Sequence, residues 1–293
     1  MKVGYVSTNY SLCKADSTFR LSSLSRERVL KTAISNLECL KRILLWNLDH
    51  EILFFRISSN TVPFASHPKV TFDWREELSS LLGEAGDVVR ENGIRISMHP
   101  GQYVVINSQR RDVVESSIAE LRYHADLLDA MEVEGRIQVH VGGSFGGKVE
   151  ALRRFETNFS LLPDNVKRRL VIENDDRIFT VKDCLSLFTS LNVPVVLDNL
   201  HQSLNNDGET FGEALDMVRR TWKERPMIDY STQEGSKRGV HASTLDENHF
   251  REFIKSVDDV DIMLEIRDKE RSALRAVEIL REMGKLDRIK NRG

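Results

Sequence analysis

The sequence predicts a single (β/α)8 barrel, a TIM barrel, with a cluster of metal ligands at the carboxyl ends of its strands. Three observations lead there. Short apolar, β-rich runs alternate eight times with amphipathic stretches, the order of a parallel sheet wrapped by helices. The runs are nearly continuous in their hydrophobicity, as strands buried on both faces require. No Pro/Gly/Ser-rich linker or low-complexity tract divides the 293 residues, so residues 1–293 form one catalytic domain.

Taken in order, strands are expected at 3–7, 52–57, 94–98, 137–141, 170–173, 193–197, 227–230 and 261–265. The stretches 25–45, 74–91, 112–131, 148–159, 180–189, 208–223, 244–256 and 269–283 carry an apolar stripe with charges on the remaining face and are expected as helices. Thr180 precedes Asp183, and Thr244 precedes Glu247, at the spacing of a capping box, which marks two helix starts.

Composition excludes several classes. A net charge of -3 lacks the basic excess common among nucleic-acid binders, although carboxylates gathered around cations would produce the same sign. The three cysteines, Cys13, Cys39 and Cys184, are odd in number, widely spaced and without a CxxC pair. That argues against a disulfide framework and a thiolate zinc site, and for a reducing, cytoplasmic location. The N-terminal apolar run is too short for a signal peptide, and no stretch approaches the ~20 apolar residues of a membrane span. A soluble protein without membrane contact is expected.

Chemistry gathers at the strand ends. His99 follows the third strand, His140 lies in the fourth, Glu173 ends the fifth, Asp198 and His201 follow the sixth, Asp229 lies in the seventh, and Glu265 ends the eighth. His67 and His241 lie in the loops after strands two and seven. In a barrel all strands open at one face, so these positions converge on one mouth. Each residue alone has a blander reading, as a hydrogen-bonded loop histidine or a helix N-cap. The set is different: Glu173, Asp198 and Glu265 each follow an apolar strand, where an unpaired charge is costly and cations would offset the cost. Imidazole and carboxylate without thiolate suit zinc or manganese, and Glu173 could bridge two ions. His50, His124 and His249 fall on helical stretches and read as ordinary surface or interhelix residues.

The blocks Phe55-Arg56-Ile57-Ser58-Ser59-Asn60, Ser66-His67-Pro68, His99-Pro100-Gly101-Gln102-Tyr103, Val139-His140-Val141-Gly142-Gly143, Glu173-Asn174-Asp175-Asp176, Leu197-Asp198-Asn199-Leu200-His201 and Leu264-Glu265-Ile266-Arg267-Asp268-Lys269-Glu270 together resemble the UV damage endonuclease family, in the same order and over nearly the whole chain. Single blocks are shared more loosely with endonuclease IV. The resemblance implies a metal-dependent repair endonuclease acting on damaged double-stranded DNA. It would incise directly 5′ to a cyclobutane pyrimidine dimer, a 6-4 photoproduct or an abasic site. It further implies divalent cations, Mn2+ first and Zn2+ or Mg2+ as alternatives. His67, His99 and Glu173 would hold one ion; Glu173, Asp198, Asp229 and Glu265 a second; His201 and His241 a third, with His140 in or behind the ligand set.

Glu173, Asp198, Glu265 and Lys148 are the implied catalytic residues. Gln102 and Tyr103 resemble the pair that probes the opened duplex, and Tyr5 and Asn9 match positions near the lesion. The chain departs from the family at Met227, where many members carry Lys, and at Asp229, where they carry His. Two firmly held ions and a weak or empty His201/His241 position are therefore expected. No obligate protein partner is implied, and a monomer is expected. The competing readings are an abasic-site endonuclease of the endonuclease IV type, a sugar-isomerase barrel with two metals, and a barrel that has lost catalysis.

Overall fold

The computed structural model describes residues 1–287. Eight parallel strands close in sequence order into a barrel: β1 (Val3–Val6), β2 (Phe54–Ile57), β3 (Arg95–Met98), β4 (Gly135–His140), β5 (Leu170–Glu173), β6 (Val195–Asp198), β7 (Met227–Tyr230) and β8 (Asp261–Leu264). β1 pairs with both β2 and β8, which completes the ring. Around it run α1 (Arg26–Asp49), α2 (Trp74–Glu77), α3 (Ser79–Asn92), α4 (Arg111–Ala130), α5 (Lys148–Phe159), α6 (Asp164–Lys167), α7 (Val181–Leu191), α8 (Asn199–Leu204), α9 (Phe211–Arg219), α10 (Glu247–Ser256) and α11 (Glu270–Glu282). Six of the eight strands are buried at every residue, or at all but the first residue in the case of β3, which is why their sequences show no polar alternation.

Local chemistry explains the boundaries. β6 begins at Val195 because Pro194 has no N–H to give a ladder and contributes only its carbonyl, to Ile172 N at 2.9 Å. The helix expected over 74–91 is broken at Leu78, with Asp73 capping the first segment by accepting from Arg75 N. Thr180 and Asp183 form the expected capping box. Thr244 and Glu247 do not. Asp246 caps α10 through His249 N, and the second box is Thr210 with Glu213 at α9. Gly4 is required where it stands: a Cβ there would lie 1.9 Å from the Phe54 carbonyl oxygen and force β1 and β2 apart.

The bottom of the barrel is closed by ion pairs and hydrogen bonds to one carboxylate. Asp261 accepts from Lys2 N and from the Arg95 guanidinium, both at 2.8 Å, and from Arg225 at 3.1 Å. This separates the sealed amino ends of the strands from the open mouth above.

One expectation is overturned. Cys13 and Cys39 form a disulfide, their Cα atoms 6.0 Å apart, leaving Cys184 buried and free. The loop after β1 folds back on α1 and brings together cysteines 26 residues apart, a proximity that spacing in the sequence does not reveal. The cysteines therefore give no argument for a reducing compartment. Among the described residues, no helix is long and apolar enough to cross a membrane.

Candidate metal centre

Alternation along the strands turns one polar residue after another into the barrel, and those nearest the carboxyl ends meet at the mouth. Glu173, the last residue of β5, is 1% exposed, and its Oε2 lies 3.0 Å from His99 Nε2 and 3.5 Å from His140 Nε2. Its Oε1 lies 3.1 Å from His201 Nδ1. The imidazoles of His99, His140, His201 and His241 follow one another around the mouth with ring centroids 5.2, 5.7 and 5.9 Å apart.

Asp198 both ends β6 and caps the short helix α8: its Oδ1 accepts from His201 N at 2.7 Å, which sets the His201 ring over the site. Asn174 ties the two strands together, its Oδ1 accepting from Asp198 N at 2.9 Å. The next residue, Asp175, is a turn residue, its carboxylate accepting from the backbone N–H groups of Arg177, Ile178 and Phe179.

Below this layer lies a residue that sequence reasoning quoted without assigning a role. Arg56 on β2 is 4% exposed. Its Nη2 donates to both oxygens of Asp229, at 2.8 and 2.9 Å, and to Gln138 Oε1 at 2.9 Å, while Nη1 pairs with Glu265. Gln138 Nε2 in turn donates to Glu173 Oε2 and Asp229 Oδ2, each at 2.6 Å. The available signal was a single charged residue inside the apolar run Phe54-Phe55-Arg56-Ile57, since a buried guanidinium needs carboxylates.

The electrostatics follow from burial and these partners. Burial pushes the Asp198 carboxyl up to about 6. Burial also opposes ionisation of Glu173, but the surrounding histidines, His140 foremost, outweigh it and hold the carboxyl well below its ordinary value. Glu265 is likewise brought down to about 2 because Arg56 outweighs its burial. His201 would lose its proton on burial alone, yet Asp198 and Glu173 push it up to about 11. His140 is lowered, chiefly by burial.

Three groups of side chains offer ligand atoms that lie within 4.8 Å of one another: His99, His140 and Glu173; Glu173, Asp198 and His201; and Asp198, Asp229 and Glu265. Glu173 Oε1, Asp198 Oδ2 and His140 Nδ1 are buried without a hydrogen-bond partner. Buried polar atoms are rarely left so. Hard oxygens and borderline imidazole nitrogens, in this number, fit divalent cations.

The comparisons bear on what such a site belongs to. The family model described as UV-endonuclease UvdE matches residues 1–293. The chain belongs to the UvdE family of UV endonucleases. The UV DNA damage endonuclease of Clostridium perfringens (strain 13 / Type A) is 36% identical over 97% of this chain and 72% of its own length. That of Bacillus cereus (strain G9842) is 32% identical over 99% and 97%. The crystal structure of SacUVDE superposes with a TM-score of 0.97 at 64% identity, covering 98% of this chain and all of that one.

Within this UvdE barrel the expected residues divide. His99, His140, Glu173, Asp198, His201, Asp229 and Glu265 come together. His241 borders them, its Nδ1 3.1 Å from the Glu265 carbonyl oxygen and 3.5 Å from its carboxylate, without entering a group. His67 stands apart in the loop after β2, where its Nδ1 accepts from Lys69 N and its ring meets Phe64 edge-on. Lys148, expected among the catalytic residues, pairs with Asp183 at 2.6 Å, because as the first residue of α5 it faces the start of α7.

Tyr5 and Asn9 offer no surface to a lesion: both are 0% exposed. Tyr5 turns outward from the barrel and donates to Asn47 of α1, while Asn9 donates to the Tyr5 hydroxyl. Gln102 and Tyr103 are exposed on the loop after β3 at the edge of the mouth. Tyr103 lies over Gly101, where a Cβ would meet its ring at 2.5 Å, and donates to Glu120 at 3.1 Å. His124, expected as a surface or interhelix residue, is fully buried between Ser59 and the Glu120 carbonyl oxygen. Met227 is buried in the core.

Proposed function

We propose that this endonuclease hydrolyses the phosphodiester immediately 5′ to a UV photoproduct in duplex DNA, a cyclobutane pyrimidine dimer or a 6-4 photoproduct, and also acts at abasic sites. Water forms the new bond to phosphorus, the bond to the 3′-oxygen breaks, and that oxygen leaves with a proton as a 3′-hydroxyl. The observation that carries this reading is the pair of unsatisfied buried oxygens, Glu173 Oε1 and Asp198 Oδ2, ringed by His99, His140 and His201.

Two divalent cations, Mn2+ foremost, fit the two groups that share Glu173. When bound they supply positive charge that activates water and stabilises the leaving oxygen. The chain's own residues do the rest. Glu173 and Asp198 would hold the ions at the ends of β5 and β6, and Asn174 keeps those strands in register. Gln138 and Arg56 hold the carboxylates from below, so the site keeps its shape. The grouping that includes His201 supports its place in the ligand set. Asp229, with both oxygens on Arg56, is less available than its position in the sequence implies.

Gln102 and Tyr103 would enter the duplex at the lesion, where a poorly stacked step costs less to open than an intact one. Tyr103 must then leave Glu120. We place the enzyme in the cytoplasm as a monomer acting on damaged duplex DNA without an obligate protein partner.

The test is incubation with Mn2+ and a duplex bearing one defined pyrimidine dimer, with the cut mapped at nucleotide resolution. A nick directly 5′ to the dimer is expected. Cutting only at an abasic site would favour the endonuclease IV type of activity instead.

A further inference from the structure

The cleft at the barrel mouth, about 870 Å3, is lined on one side by Val6, Ser7, Arg56, Glu265, Ile266 and Lys269. Lys269 is costly to keep there on three independent counts. Its backbone has φ 55° and ψ -113°, a positive φ outside even the left-handed helical basin, which side chains with a Cβ rarely adopt. It stands at the N-cap of α11, where Ser, Thr, Asp or Asn would satisfy the first N–H groups and where the helix dipole disfavours a cation. Its ammonium, half-buried at the cleft, feels the charges of Glu265, Asp16 and Glu270 but makes no hydrogen bond or ion pair with any of them among the described residues.

The surroundings hold this conformation in place. Arg267 N donates to the Ala242 carbonyl at 3.0 Å, and Asp268 N donates to that of Ser243 at 3.2 Å. The fully buried Glu270 accepts from Tyr10 N and Ser11 N, both at 3.0 Å. The segment between Glu265 and α11 is thus pinned to the loops after β7 and β1. Local rules broken together, and stabilised from outside, mark residues retained for a site rather than for the fold. Of the other cations at the rim, Arg238 donates to the carbonyls of Asp176 and Leu204, and Arg177 to the Asp176 carboxylate, while Arg267 is exposed to solvent rather than half-buried at the cleft. Lys148 is paired with Asp183.

We infer that Lys269 binds a backbone phosphate of the incised strand, the contact for which its unpaired ammonium, held at the edge of the metal centre, is shaped. This rests on the proposed action on DNA. A phosphate brought to a half-buried ammonium gains a charge-assisted contact and releases a counterion from the duplex.

The test measures affinity for a duplex carrying one pyrimidine dimer and a 3′-methylene phosphonate at the scissile linkage, in which carbon replaces the leaving oxygen so that incision is blocked while the charge is kept, in Mn2+ from 50 to 200 mM salt. The variants are Lys269→Gln, Lys269→Arg and Lys269→Gly. One lost phosphate contact lowers the slope of log affinity against log salt by about 0.9, so over this range the wild type loses about 3.5-fold more affinity than Lys269→Gln. Lys269→Arg should restore the slope. Lys269→Gly, which suits the backbone, should show the reduced slope while melting no lower than the wild type. An unchanged slope in Lys269→Gln and Lys269→Gly overturns the assignment, and an unchanged slope with a lowered melting temperature identifies Lys269 as structural. If the wild type does not prefer the dimer duplex over intact DNA, the functional reading fails instead, and the slope on intact DNA still reports on Lys269.

Discussion

Replacing Arg56 by Met should show how much the floor of the metal centre depends on one cation. The substitution keeps an unbranched side chain but removes the bonds to Asp229 and Gln138 and the pair with Glu265. Two carboxylates are left facing each other under Asp198 and Glu173, and breaking one side of a buried pair costs about 3–5 kcal/mol. With an unfolding entropy of about 2.1 cal/mol/K per residue, a chain of this length loses roughly 1.6 °C per kcal/mol, so melting should fall by about 5–8 °C. The assay is thermal melting in EDTA and again in Mn2+. Part of the loss should return with the metal, because ligand atoms of Asp198, Asp229 and Glu265 lie within reach of one ion and the guanidinium no longer competes for them. A variant that melts within about 1 °C of the wild type in EDTA would refute the reasoning, since the ion pairs would then contribute no more than exposed ones.

Three further outcomes are expected. Glu173→Gln should abolish dimer incision and lower the metal retained after dialysis from two ions per chain, with an unaltered far-ultraviolet circular dichroism spectrum, because a neutral amide cannot bridge two cations; retained cleavage would remove Glu173 from the centre. Gln102→Ala combined with Tyr103→Ala should weaken dimer incision by roughly tenfold or more, the worth of a stacked base, while metal content stays the same; parallel loss of metal would make the pair structural. Metal uptake should release protons and tighten with pH. His201, pushed up to about 11, carries a proton at neutral pH that an incoming cation must displace, and Asp198, at about 6, adds a second below that value. The association constant for Mn2+ should therefore rise about tenfold per pH unit between 6 and 8, and more steeply below 6. Titration calorimetry in buffers of different ionisation enthalpy would reveal an absence of proton release.

Much of the site was legible because a barrel converts sequence order into position. Once eight apolar runs are read as parallel strands, whatever follows each run must stand at the same rim. That is why His99, Glu173, Asp198 and Glu265, scattered over 167 positions by their residue numbers, could be assembled on paper. The resemblance of the blocks around them supplied the family, and the whole-chain match bears it out.

The sequence by itself determined the fold class, the strand ends and the family. What only the tertiary structure decided is which neighbour each side chain meets. Period along a strand says that a residue alternates, not whether its tip reaches the mouth: Tyr5 turns outward to Asn47, and Asp229 turns inward to Arg56. Lys148 and Lys269 both follow strand-end motifs, yet one is drawn to Asp183 and the other stands unpaired at the cleft, because the loop conformation that aims each ammonium depends on contacts far away in the chain. Cys13 and Cys39 meet for the same reason. Pairings of this kind rest on distances of a few ångströms between segments remote in sequence, which emerge only when the barrel has closed.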